Sequence, residues 1–125
     1  MADAYIVDAV RTAGGRRGGK LAGVHAVDLG AAVLDSIADR NDFDPAAIED
    51  VIMGCVMQGG EQAGDVGRNI VLASRLPNSI PSVSIDRQCG SSQQSMMFAA
   101  QGVMSGTQDI VLAAGIESMT RVPMG

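Results

Sequence analysis

Short apolar segments alternate along the whole chain with segments of helical spacing, and few folds accommodate this order. The apolar segments, predicted to be strands, are 4–10, 50–56, 82–86 and 109–115. Helices are predicted over about 26–40, from near Asp65 to before Pro77, over about 91–105, and as one short turn at 45–48. The order βαβαβαβ is typical of a three-layer α/β/α domain with a mostly parallel sheet.

The residue patterns of two predicted strands indicate where each lies in that sheet. The segment DIVLAAG (109–115) is a continuous apolar run, as expected of a strand covered on both faces. By contrast, SVSID (82–86) alternates polar and apolar residues, which favours an exposed or edge strand. We therefore expect the sheet to be buried around 109–115 and open at 82–86.

Composition places the chain among globular domains and excludes several functions. It has 125 residues, 46% of them hydrophobic and 18% charged, which suits a single domain over 1–125. The net charge of −5 argues against binding to nucleic acid, and no apolar run is long enough to span a membrane. The N-terminal segment lacks the basic residues of a signal peptide. With two cysteines and no export signal, we expect a cytoplasmic protein with reduced thiols.

One glycine-rich loop concentrates positive charge in this acidic chain. Its cations are Arg11, Arg16, Arg17 and Lys20. GGRRGGKL (14–21) fits part of a phosphate-binding loop, but Leu21 stands where a hydroxyl should hold magnesium. No G-x-G-x-x-G occurs in the chain, which argues against a dinucleotide site. A solvated or partner-facing basic loop is therefore expected.

The segment DRQCGSSQQS (86–95) places a thiol where a predicted strand ends and a predicted helix begins. In a parallel α/β sheet this is the edge at which ligands bind. The first turn of a helix presents unpaired N–H groups and a positive dipole end, and both stabilise a thiolate. Small residues after Cys89 would let an acyl group approach the sulfur, and backbone N–H groups could stabilise an oxyanion. Cys89 is therefore a candidate nucleophile. The alternative is a buried structural cysteine at a tight junction.

Four segments, in order, resemble the thiolase family. DRQCGSSQQS resembles the nucleophile segment of that family, and AAGIESMTRVP resembles the segment that ends its fourth strand. IVDAVRTAGGRRGGKLAG and IEDVIMGCVMQGGEQAGDVGRN resemble its first and second strands with the loops that follow. A beta-ketoacyl synthase shares the fold and a cysteine nucleophile, but CGSSQQ and GIESM fit thiolases better.

The resemblance implies an acyl-CoA acyltransferase. Cys89 would take an acyl group from acyl-CoA as a thioester intermediate, and its own backbone N–H would serve as one oxyanion donor. Acyl-CoA and CoA are the implied substrates, and no metal or redox cofactor is implied. The reaction would be either Claisen condensation with acetyl-CoA or the reverse cleavage of a 3-ketoacyl-CoA by CoA.

The resemblance also implies parts that these residues do not supply. Thiolases use a histidine and a second cysteine from a C-terminal half, and His25 and Cys55 match neither, so we expect both to be structural. The family sheet is ordered 3-2-4-5-1, so the fifth strand and a second domain would be absent. The loop region that binds CoA would begin near 119–125. We expect an N-terminal portion, inactive by itself.

Assembly is the remaining expectation from the resemblance. The family pairs the strand corresponding to 82–86 across a dimer interface, which implies a homodimer or homotetramer. The alternative function is a non-catalytic thiolase-like module whose role is assembly.

Overall fold

The computed structural model describes residues 3–125, which form three helices and three strands with two short 3-10 turns. The elements are α1 (Ala26–Arg40), β1 (Asp50–Gly54), α2 (Val66–Ala73), β2 (Ser82–Ile85), α3 (Ser91–Met104) and β3 (Val111–Gly115), with the turns at Pro45–Ala47 and Gly60–Gln62. The predicted helices are confirmed within a few residues, and the α/β class is confirmed.

The three strands form one open parallel sheet in the order β2-β1-β3. This is the order that the resemblance implies for the second, third and fourth strands. Met53 of β1 pairs with Ser84 on one side and Ala114 on the other, so the carboxyl ends of all three strands meet at one edge. Val83 on β2 is 44% exposed, and β2 pairs with β1 alone among the described strands, which confirms its predicted edge position.

Helices pack on both faces of the sheet, but β3 is only half-buried, so the prediction that 109–115 is covered on both faces is wrong for the described residues. On one face α2 packs on β1 and β2, and α1 packs on α2. On the other face α3 packs on β1 and β3. The core on the α2 side is formed by buried aliphatic residues with one methionine and one cysteine: Leu34, Ile48, Val51, Met53, Cys55, Val66, Ile70, Val71, Leu76 and Ile80.

Local residue chemistry accounts for the helix boundaries. α1 begins after His25, whose Nδ1 accepts the N–H of Val27 at 3.1 Å. α2 begins after Asp65, whose carboxylate accepts the N–H of Arg68 at 3.2 Å and so serves as its N-cap. α3 ends before Gly106, which has a φ of +75° and lies in the left-handed region that glycine adopts without strain.

The strand predicted over 4–10 is wrong. Residues 3–10 belong to no helix or strand, and Tyr5, Ile6 and Val7 are 80%, 73% and 86% exposed. An extended segment becomes a strand only when a neighbour accepts its backbone hydrogen bonds. Among residues 3–125 no segment pairs with the outer edge of β3, so 4–10 has no strand to join.

An apolar groove of about 290 Å³ lies between residues 6–12 and the outer edge of β3. Leu29, Val33 and Ile37 of α1 line this groove and are half-buried, whereas Leu34 on the same helix is buried in the core. The spacing therefore predicted the helix correctly, while these three apolar residues lie against the groove beside the outer edge of β3. No helix among the described residues is long and apolar enough to cross a membrane.

Candidate active site

A cavity of about 360 Å³ opens at the carboxyl edge of the sheet, where ligands bind in parallel α/β proteins. Its walls come from the ends of β1 and β3, the turn before α3, and the segment after β3. The lining residues are Gly54, Cys55, Val56, Gln88, Cys89, Ser91, Ser92, Gly115, Ile116, Glu117, Met119 and Met124. The structure thus brings the candidate nucleophile into a cavity at this edge.

Cys89 is exposed in the turn between β2 and α3, so the alternative of a buried structural cysteine is wrong. The turn is held tightly on its N-terminal side. Gln88 has a φ of +48°, and its N–H donates to the carboxylate of Asp86 at 2.7 Å. The hydroxyl of Ser91 accepts the N–H of Arg87 at 2.8 Å and donates to the carbonyl of Gln88 at 2.6 Å. The thiol is therefore presented to solvent by a rigid turn.

Two glycines allow the first turn of α3 to lie directly on the sheet. A Cβ on Gly54 would be 2.5 Å from backbone atoms of Ser91 and Ser92, and a Cβ on Gly115 would overlap the Ser92 side chain. The hydroxyl of Ser95, fully buried, lies 2.9 Å from the carbonyl of Ala114 and 2.7 Å from that of Ser92. These contacts fix the start of α3, and with it Cys89, against the ends of β1 and β3.

The local hydrogen bonds narrow the choice of oxyanion donors. The N–H of Gly90 donates to the carbonyl of Arg87 at 3.1 Å, and that of Ser91 donates to the carbonyl of Gln88 at 3.0 Å. Because these two N–H groups are already bonded within the turn, they are poorly placed to meet a substrate oxygen. The N–H of Cys89 as an oxyanion donor stays a prediction.

A carboxylate that the sequence reasoning missed ties two strand ends together beside Cys89. Glu117 accepts the N–H groups of Val56 at 2.8 Å and Met57 at 3.2 Å, and the Nε2 of Gln62 at 3.1 Å. Gln62 is fully buried, and its Oε1 accepts the N–H of Ser118 at 2.8 Å. An acidic residue directly after an apolar strand, with a glutamine in the facing loop, was the available signal.

The second cysteine lies at the same edge but is buried. Cys55 is 1% exposed and belongs to the core, as predicted. Burial raises the pKa of its thiol to about 11, and the negative charges of Glu117 and Asp86 add to this effect. Cys55 is therefore a neutral thiol near neutral pH and a poor nucleophile there. Both cysteines are free, as expected.

The single histidine has a structural role, as predicted. His25 caps α1 through Nδ1, and its Nε2 lies 3.6 Å from the Glu61 carboxylate. Glu61 is held in turn by Arg121, with Nε–Oε2 and Nη2–Oε1 distances of 2.6 and 2.7 Å. Since His25 does not line the Cys89 cavity, it is not placed to activate that thiol. Over residues 3–125, no cluster of three or more His, Cys, Asp or Glu side chains could hold a metal ion.

Comparison with known proteins agrees with this geometry. A family model described as "Thiolase, N-terminal domain" matches residues 4–125. The chain is 53% identical over 124 residues to "Steroid 3-ketoacyl-CoA thiolase FadA6" of Mycobacterium tuberculosis, covering 99% of this chain and 30% of that protein. It is 43% identical to "Beta-ketoadipyl-CoA thiolase" of Acinetobacter baylyi, covering 98% and 31%, and 43% identical to "3-ketoacyl-CoA thiolase" of Pseudoalteromonas translucida, covering 99% and 32%.

The chain therefore spans about a third of the length of these curated relatives. The match begins at residue 4 and includes every element that lines the Cys89 cavity. The chain belongs to the thiolase family, and it matches the N-terminal domain of that family.

Proposed function

We propose that the protein is a thiolase-type acyltransferase in which Cys89 carries the acyl group. The observation that carries this proposal is the exposed thiol at the start of α3, in the cavity where the ends of β1 and β3 meet. The three relatives are all named as thiolases of CoA thioesters, which supports acyl-CoA and CoA as the substrates.

In the proposed first step, the Cys89 sulfur attacks the carbonyl carbon of an acyl-CoA. A new C–S bond forms, the carbonyl oxygen takes up negative charge, and the bond to CoA then breaks with departure of the CoA thiolate. In the condensing direction, the α-carbanion of acetyl-CoA attacks the acyl-Cys89 and releases the thiolate. In the cleaving direction, the Cys89 sulfur attacks the 3-keto carbon of a 3-ketoacyl-CoA, the bond between carbons 2 and 3 breaks, and the departing carbanion takes up a proton to become acetyl-CoA. CoA then takes the acyl group from Cys89 and frees the thiol. Neither direction needs an external oxidant or reductant, so we propose no metal or redox cofactor.

The proton transfers need groups beyond those around Cys89. Within the described chain, the cavity contains Glu117, whose carboxylate already accepts three hydrogen bonds, and the buried thiol of Cys55. Neither is suited to take a proton from Cys89. We propose that a histidine and a second cysteine from further sequence complete the site, and that residues 1–125 have no turnover by themselves. Residues 119–125 would begin the region that binds CoA.

Assembly and location form the rest of this proposal. We propose a homodimer or homotetramer joined through 82–86, supported by the open outer edge of β2 and the 44% exposure of Val83. We also propose a cytoplasmic location, with the two free thiols and the composition as support.

The function is tested by supplying acetoacetyl-CoA and CoA to the protein expressed from its complete reading frame. The expected result is consumption of acetoacetyl-CoA with formation of two acetyl-CoA for each one consumed. A Cys89→Ser variant that folds like the parent should cleave acetoacetyl-CoA at least about 1,000-fold more slowly, because a hydroxyl is a far weaker nucleophile than a thiolate. Unchanged cleavage by Cys89→Ser would contradict the role of Cys89. No cleavage by either protein would favour an assembly module.

A further inference from the structure

The basic loop, defined as residues 11–20, carries four exposed cations in a chain whose net charge is −5. They are Arg11, Arg16, Arg17 and Lys20. A positive patch of this density on an acidic protein creates a local potential opposite in sign to that of the whole molecule. Such a patch attracts anions to one place on the surface.

The arginines outside the basic loop are all bonded to other groups. Arg40 pairs with Asp8, Arg75 with Asp35 and Asp39, Arg121 with Glu61, Arg68 with the carbonyls of Asn78 and Ile80, and Arg87 with Gln94. By contrast, no carboxylate within residues 3–125 lies within 4.0 Å of a charged nitrogen of the basic loop. Over the same described residues, the only side-chain hydrogen bond from these cations is a 3.3 Å contact of Arg11 to the carbonyl of Thr12. Their charge is therefore not neutralised within the described fold.

The basic loop is ordered by turns and is attached to the wall of the Cys89 cavity. The N–H of Gly19 donates to the carbonyl of Arg16 at 2.9 Å, and Gly18 has a φ of +63°, which only glycine adopts without strain. The N–H of Gly18 also donates to the hydroxyl of Thr120 at 3.2 Å. Thr120 follows Met119, which lines the cavity. The cations are thus presented beside the cavity wall formed by the segment after β3.

We propose that the basic loop binds the phosphate groups of the incoming CoA thioester and draws this substrate to the Cys89 cavity. This inference rests on the proposed function. The thioester end of an acyl-CoA is uncharged, whereas its nucleotide end carries several phosphates. Arginine side chains bind phosphate oxygens through paired N–H groups, and flexible exposed side chains can adapt to the bound anion. The basic loop would therefore bind the nucleotide end of the CoA thioester, which takes no part in the reaction at the thioester carbonyl.

The test compares two acetyl donors in the protein expressed from its complete reading frame. Acetyl-CoA carries the phosphates, and S-acetylpantetheine carries the same thioester and pantetheine arm without them. The measured quantity is the ratio of the second-order rates at which the two donors acetylate Cys89. The double variant Arg16→Gln/Arg17→Gln should lower this ratio about 10-fold at low ionic strength. The loss should largely vanish in 1 M salt, where the screening length is about 3 Å.

The matched control is Arg40→Gln/Arg75→Gln, which removes the same charge from arginines that are already paired with carboxylates. This control should leave the ratio of the two rates unchanged. A ratio that is also unchanged in the basic-loop variant, or lowered equally in the control, would overturn the inference. If neither donor acetylates Cys89, the proposed function fails and the inference fails with it. If both donors acetylate Cys89 of the parent protein, the proposed function stands, and the ratio of the two rates in the variants then tests the role of the basic loop alone.

Discussion

Replacing Gly54 with alanine tests whether the start of α3 packs against the sheet as closely as the structure shows. A Cβ at this position would be 2.5 Å from the carbonyl carbon of Ser91 and the nitrogen of Ser92, and 2.8 Å from the Ser91 oxygen. Ordinary contacts begin near 3.4 Å, so the backbone of α3 would have to move by about 1 Å. All three atoms are backbone, and no side-chain rotation can relieve the overlap.

The expected cost of Gly54→Ala is about 3 kcal/mol of unfolding free energy, at the upper end for overpacking a core, because a helix terminus must shift. For a domain of this size, that loss corresponds to a decrease of roughly 10 °C in Tm. The shift would also move Cys89 relative to the cavity. The alkylation rate of Cys89 by iodoacetamide should therefore change, even at temperatures where the variant remains folded.

The assay is thermal unfolding followed by circular dichroism, with Gly59→Ala as the matched control. A Cβ on Gly59 meets nothing within 4 Å, and its φ of −131° suits any residue, so this variant should unfold at or up to about 3 °C above the temperature of the parent. If Gly54→Ala and Gly59→Ala unfold at the same temperature, the close packing of the start of α3 against β1 is refuted. The proposal that this packing positions Cys89 would then fail as well.

Two further predictions concern the buried groups beside the cavity. Glu117→Ala should lower the unfolding free energy, measured by urea titration, by about 3 kcal/mol, because the N–H groups of Val56 and Met57 lose their acceptor. Glu117→Gln keeps one acceptor oxygen and should lose less unfolding free energy. An unchanged urea midpoint for Glu117→Ala would contradict this role. The pKa of Cys55 is raised from 9.0 to about 11 in the folded protein, so the unfolded chain releases this proton first and stability should fall between pH 9 and 11. Cys55→Ala should lack this part of the fall, and equal pH profiles for the two proteins would show that the Cys55 pKa is not raised.

Local patterns predicted most of the fold because the chemistry that sets them is local. Helical spacing predicted α2, from near Asp65, and α3, and the alternation in 82–86 predicted an edge strand. The strand predicted over 4–10 failed for the opposite reason. Its residues have strand character, but a strand also needs a neighbour, and the outer edge of β3 lies across an apolar groove.

The site was predictable to the extent that it lies on one continuous segment. Cys89, its small neighbours and the helix after it are adjacent in sequence, so their chemistry could be reasoned out directly. Glu117 and Gln62 were missed because their 3.1 Å contact joins residues 55 positions apart and depends on strand register. The role of Gly54 also depends on distant residues, since α3 meets it only after the sheet has formed.

Formation of an acyl thioester on Cys89 is the central step of the proposed function. The decisive measurement is the intact mass of the protein from its complete reading frame, before and after incubation with acetyl-CoA, with peptide mapping of any adduct. We predict one acetyl group on Cys89 and none on Cys55, since only Cys89 is exposed in the cavity. An acetyl group on Cys55, or a folded protein that takes up none, would contradict the account.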